Sequence, residues 1–296
     1  MVNVIPDLFV GLVTHENSRF GDAGKETGLL RRVEAGLTRQ GLRVATILVD
    51  EDAWNPDVLP ITIAEVRASI DAEIDSERRW REYVLGSRLS VLDQITLSLR
   101  RLRRRFTLTP PWKARIREQD DGFRLVRRLV NIELAHVKVL RAAVDSKARW
   151  VLVLEDDAST DSPERFSFEL GDFLRRADRR GAPSMVNLSE SFTSRELGID
   201  HLLSRNQGED NFPWPGFSAK RPVTNTVCAV LYSRALLAPL VTALDGIPLS
   251  PVIPIDFKVN EAVMEIAHDQ APGSCWVLSP APLRQGSGVP TLHVRR

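Results

Sequence analysis

Short apolar runs alternate along this chain with stretches in which apolar residues recur every three or four positions. Leu8–Val13 is an unbroken apolar run that ends in polar Thr14, His15, Glu16 and Asn17, as a buried strand does at its functional end. Gly28–Gly41 follows with helical spacing; it closes at Gly41 and carries Arg39 in its last turn, where a cation suits the helix dipole. Leu42–Asp50 is a second strand, rich in β-branched residues. Strand, helix and strand in this order predict a βαβ unit and hence a parallel sheet.

From Ile61 to Arg105 the period becomes helical and the composition charged. That is too long for one crossover, so residues 61–120 read as a helical insertion, interrupted at Thr109-Pro110-Pro111 because adjacent prolines cannot continue a helix. A helix is predicted over Gly122–Ser146, a strand over Trp150–Leu154, a helix over Pro163–Arg176 and a strand over Ser184–Leu188. Gly208–Pro222, with Pro213, Pro215 and Pro222 around Trp214 and Phe217, reads as a structured loop or lid. Thr226–Tyr232 is a strand, Ser233 a cap for a helix over Arg234–Leu244. A helix over Phe257–Ala267 and a strand over Cys275–Leu278 precede an irregular tail. The expected fold is α/β: one domain over 1–296, with a mostly parallel central sheet flanked by helices and the insertion within it.

Composition narrows the class. With 43% hydrophobic residues and 40 Lys+Arg against 39 Asp+Glu, the chain is unlike a disordered one. Its two cysteines, Cys228 and Cys275, cannot form a disulfide framework, which fits a reducing compartment. No run of about 18 uncharged apolar residues is present, and the first residues lack a basic segment followed by a long apolar one. The expected location is the cytoplasm.

The sharpest chemical feature is Glu155-Asp156-Asp157 after the apolar run Trp150–Leu154. In an open α/β sheet, ligands bind beyond the carboxyl ends of strands. Adjacent acids raise one another's pKa unless a cation neutralises them, and Mg²⁺ or Mn²⁺ with oxygen ligands does so while bridging to substrate phosphates. The competing reading is a solvated strand-end turn. Gly273, Gly286 and Gly288 lack the spacing of a phosphate loop, and Ser218, Ser233 and Ser274 lack the setting of a hydrolase nucleophile.

Asn131-Ile132-Glu133-Leu134-Ala135-His136, followed by Ala148 through Leu154-Glu155-Asp156-Asp157-Ala158, resembles the central block of glycosyltransferase family 25, which includes lipopolysaccharide and collagen galactosyltransferases. The likeness is continuous over Asn131–Thr160 and returns in pieces over Thr224–Ser287, including Pro254-Ile255-Asp256 and Val277–Gln285. The chain departs from the pattern at Ala135, where that family has Ser, at Pro222–Ala229, where it has a glycine-rich stretch, and in its larger insertion. The resemblance implies a distant member with a GT-A fold: a hexosyltransferase acting on a nucleotide sugar, foremost a UDP-sugar, with inversion, and a glycan or lipid-linked acceptor in cell-envelope polysaccharide synthesis. Asp157, with Glu155 and His293, would then hold Mn²⁺ or Mg²⁺, and Glu155 and Asp156 would also face the donor. Asp256 is the first candidate base for the acceptor hydroxyl and Glu261 the second. Thr14, His15, Arg19, Asp50 and His136 are candidates to line the donor site, and Trp214 to close over a donor or stack on an acceptor sugar.

Arg100, Arg101, Arg103, Arg104, Arg105, Lys113, Arg115 and Arg117 form a basic cluster with no acid inside that window, next to a helix with Leu89, Val91, Leu92, Ile95, Leu97, Leu99 and Leu102 available for an apolar face. An anionic membrane surface, the inner face of the plasma membrane, suits such a helix. Nucleic acid is not expected, since no recognition motif or stacking platform accompanies the cluster; a solvated face or an oligomer contact is the plain alternative. Two rivals to sugar transfer stand: a nucleotidyl- or phosphotransferase using the same acids, and a non-catalytic scaffold docked on a membrane.

Overall fold

The computed structural model describes residues 6–14, 28–49, 62–117, 119–177, 184–190, 213–214, 216–219, 226–247, 253–269, 275–278 and 281–285. The elements in chain order are β1 (Leu8–Val13), α1 (Leu29–Arg39), β2 (Val44–Val49), α2 (Ile63–Leu85), α3 (Val91–Leu108), α4 (Asp121–Ser146), β3 (Trp150–Glu155), β4 (Ala158–Ser159) and α5 (Pro163–Ala177). They continue with β5 (Met185–Asn187), β6 (Ser189–Glu190), β7 (Gly216–Ala219), β8 (Ala229–Ser233), α6 (Arg234–Gly246), α7 (Ile255–Asp269), β9 (Cys275–Leu278) and β10 (Leu283–Gln285).

Seven strands form one mixed sheet in the order β2-β1-β3-β8-β5-β9-β7. Strand β1 runs parallel to β2 and β3, as the βαβ pattern predicts. The sheet is mixed and not, as expected, mostly parallel: β8 runs against both β3 and β5, and β7 runs against β9, so half of the neighbour pairings are antiparallel. Strand β7 falls within the stretch expected to be a loop or lid. Strands β4, β10 and β6 make a second, three-stranded sheet, its middle strand β10 lying where an irregular tail was expected.

Side chains of β1 alternate between two layers because successive Cβ atoms point to opposite faces. Leu8, Val10 and Leu12 pack with α1 and α5 through Leu30, Val33, Leu37, Phe166, Leu170 and Phe173. Phe9 and Val13 pack with α4, α6 and α7 through Val139, Leu140, Leu236, Leu240 and Val259. Both faces are covered, which is why these strands read as unbroken apolar runs. At Gly11 α4 comes so close that an added Cβ would stand 2.1 Å from Val139 Cγ1. Trp214 belongs to the first layer, not to a lid: it is buried, stacks on Phe166 and Phe173 with ring centroids 6.0 and 5.8 Å away, and donates from Nε1 to Glu169.

The predicted helical stretch 61–105 is two helices, α2 and α3, parted by Gly86 at φ +65°, a conformation glycine adopts without steric cost. Ser90 caps α3 by accepting from the Asp93 amide at 3.2 Å. Thr62 forms an antiparallel bridge with Arg115, so the segment leaves and returns at one place. The acids opposing the helical arginines of the basic cluster come from α2, while Lys113 pairs with Asp120. Arg100 pairs with Glu73 and Glu77, Arg101 with Asp71 and Asp75, Arg104 with Glu73 and Arg105 with Asp71. Half of the cluster therefore holds two helices together. No helix among the described residues is long and apolar enough to cross a membrane.

Gly11→Ala is expected to lower stability by about 2 kcal/mol by overpacking against Val139. Combined with Val139→Ala it should cost less than the sum of the two single changes, measured by urea unfolding.

Candidate functional site

The three acids sit where the parallel register ends. Val13 is paired with Glu155, so Thr14 arrives opposite Asp156, and its hydroxyl donates to Asp156 Oδ2 at 2.9 Å. Thr14 is itself anchored by its amide, which donates to the Val49 carbonyl at 3.0 Å. On the other flank of β3 the Glu155 amide donates to the Cys228 carbonyl at 2.8 Å, just before β8 begins. The Cys228 thiol donates to Asp157 Oδ1 at 3.3 Å. Each carboxylate is thus held by a donor from a different element, and Asp157 is 8% exposed. They do not project into solvent as a strand-end turn would.

Helix α4 supplies the third donor. His136 is buried, and its Nε2 lies 3.0 Å from Glu155 Oε1. In the tautomer with its proton on Nε2, the ring donates to this carboxylate. Ala135, where the resembling family has Ser, is buried in the apolar layer behind the site.

Asp256 lies in the first turn of α7, and its Oδ1 accepts from the Phe257 amide at 3.0 Å. Burial, reinforced by the nearby charge of Glu155, pushes its pKa up to about 7. Two residues on, Lys258 forms a buried ion pair with Glu133, one turn ahead of His136 on α4. Burial lowers the Lys258 pKa and the Glu133 charge opposes that shift. This pair ties α7 to α4 and so sets Asp256 beside the acid cluster. Glu261 is engaged elsewhere: its carboxylate pairs with Arg79 of α2, and no described contact brings it to the three acids. That pairing tells against its use as the base. His15, Arg19, Asp50 and His293 lie outside the described residues, as do His201 and the side chain of His268.

Glu155, Asp157 and Cys228 each present a ligand atom, all within 4.8 Å of one another, and such a group could hold a metal ion. The donor chemistry divides them. Two carboxylates suit a hard divalent cation. The Cys228 thiol is pushed well above its ordinary pKa, first by burial and then by the charges of Glu155 and Asp157. It stays protonated and serves as a donor to Asp157, which orients that carboxylate.

Pattern reading did not find Cys228, nor the polar network beside it. Asn187 donates to the Thr226 carbonyl at 2.9 Å and accepts from the Ser189 amide at 3.0 Å, while the Ser189 hydroxyl accepts from the Ala229 amide at 3.1 Å. All of these side chains are buried. The available signal was Asn187 at the end of an apolar strand, a placement that requires buried partners. No model of a known protein family matches this chain, and no curated protein matches it either.

A carboxyl whose folded pKa is raised destabilises the fold when ionised. Its unfolded counterpart loses its proton first, so stability falls as pH rises from about 4 to about 7 and then levels. Asp256→Asn removes this dependence. Without added divalent cation, the variant should gain on the order of 2 kcal/mol over the native chain at pH 8, and much less at pH 4, by denaturant unfolding at both pH values.

Proposed function

We propose that the chain is a metal-dependent glycosyltransferase that moves a sugar from a nucleotide-sugar donor, foremost a UDP-sugar, to a glycan or lipid-linked acceptor with inversion, on a fold of GT-A type. The observation that carries this reading is the set of three held carboxylates at the end of a central strand with a fourth, high-pKa carboxyl beside them. Two acids with environments that differ this much divide into a cation-holding group and a proton-accepting group. The order of residues around them resembles glycosyltransferase family 25.

In this reading Glu155 and Asp157 would hold Mn²⁺ or Mg²⁺, which would supply charge stabilisation for the departing diphosphate. Thr14 keeps Asp156 turned to the donor side, and His136 keeps Glu155 oriented. Asp256 takes the proton from the acceptor hydroxyl as that oxygen bonds to the anomeric carbon and the bond to the diphosphate breaks. A pKa near 7 suits that task, because the group is substantially ionised at neutral pH yet basic enough to accept a proton.

UDP with Mn²⁺ is expected to raise the melting temperature, and Asp157→Asn to abolish the increase while leaving the cation-free fold intact. Asp256→Asn should retain nucleotide binding and lose at least about a hundred-fold in transfer rate, measured by diphosphate release over a panel of nucleotide sugars. Preference for a nucleoside triphosphate would favour nucleotidyl or phosphoryl transfer instead. Absence of any nucleotide response would leave the acids without a catalytic role.

A further inference from the structure

The arginines that neutralise α2 leave the opposite side of α3 to be explained. Val91, Leu92, Ile95, Leu99, Leu102 and Phe106 recur at spacings of three and four, and each is between 50% and 76% exposed. At about 100° per residue they fall within one arc roughly a quarter-turn wide, and at about 1.5 Å per residue Leu92 to Phe106 extends about 21 Å. The arc is the reverse of the face that packs on α2: Leu97 is buried there, and Arg101 and Arg104 reach the α2 acids from it. A contiguous apolar strip of this size on the outside of a folded chain marks an interaction surface.

Charge decides which kind. Arg103 borders the strip and is exposed, with no ion-pair partner among the described residues; the same holds for Arg88 just before the helix and Arg115 just after it. Between Arg88 and Arg117 the sequence contains a single acid, Asp93, and its carboxylate is taken by the capping Ser90 hydroxyl at 2.6 Å. Trp112, beyond the helix, is 75% exposed. A second copy of α3 laid on the strip would bring like charges together and offer no acid to meet Arg103. An anionic bilayer offers both requirements, an apolar interior for the strip and negative headgroups for its basic border.

We infer that α3 is a membrane-docking helix that lies in the plane of an anionic lipid surface. Its leucines and Phe106 enter the acyl boundary, and Arg103 reaches the headgroups with its apolar stem along the strip. The arginines paired with α2 are not the membrane contact; they keep the helix turned with the strip outward. The inference is independent of sugar transfer, and its test uses no enzyme activity.

The full chain should sediment with phosphatidylcholine vesicles containing phosphatidylglycerol, not with phosphatidylcholine alone, and salt should weaken the binding. Leu99→Glu with Leu102→Glu should remove at least ten-fold of the affinity with an unchanged melting temperature, because both side chains are outside the core. Arg103→Ala should weaken binding about five-fold, near the value of one basic residue at a charged surface. Native chain that stays in the supernatant with anionic vesicles at low salt overturns the inference. So does vesicle binding unchanged by the two glutamates, or a dimer in sedimentation velocity that those substitutions dissociate.

Discussion

Three carboxylates at the tip of a strand buried on both faces set the terms for everything around them. Adjacent ionised acids repel, and partial burial removes the water that would screen them. Glu155, Asp156 and Asp157 persist because His136, Thr14 and Cys228 reach them from α4, β1 and the approach to β8. Each donor depends on an ordinary packing decision. Thr14 is in place because β1 and β3 share a parallel register, and His136 is in place because Gly11 lets α4 lie close against the sheet. Local charge at the site is thus bound to the geometry of the core.

The same economy of partners appears in the helical insertion. Helix α3 carries arginines on the side that meets the acids of α2, and exposed leucines on the opposite side. An amphipathic helix in a globular protein ordinarily turns its apolar face inward. Here Leu97 does so in a small cluster with Leu89 and Ile74, Leu108 packs at the helix end against Val66, Ile70 and Val126, and ion pairs supply the contact between them. Such pairs specify orientation more surely than they add stability, since their desolvation offsets much of the attraction.

Much of the fold was legible because both faces of the central strands are covered, so Leu8–Val13 and Trp150–Leu154 carry an undiluted apolar signal. Helix limits followed from punctuation: Ser233 caps α6 as expected, accepting from the Leu236 amide at 3.4 Å. The acid cluster was legible for the same reason, as charge directly after an apolar run. What was not legible depends on contacts distant in sequence. The direction of β8 and β7 is chosen by the sheet, not by local pattern. Trp214 has the composition of a loop around it, yet Phe166 and Phe173 take it into the core. Glu261 is engaged by a neighbour the local pattern does not show, Arg79, from a helix nearly two hundred residues earlier. Cys228 carries no local signal, because its meaning comes from Asp157 across the sheet edge.

Helix α7 is where site and insertion meet, and magnitudes say which one it follows. Asp256 faces the acid cluster, Lys258 reaches Glu133 on α4 and Glu261 reaches Arg79 on α2. The Arg79–Glu261 pair is solvent-exposed on the arginine side, and pairs of that kind contribute about 0–1 kcal/mol. Breaking a buried pair such as Lys258–Glu133 by removing one partner costs about 3–5 kcal/mol, because a charge is left without compensation. Displacement of α2 and α3 would therefore break the outer pair well before it moved α7 away from α4. Asp256 thus stays with α4 and the sheet, insulated from movement of the outer helices.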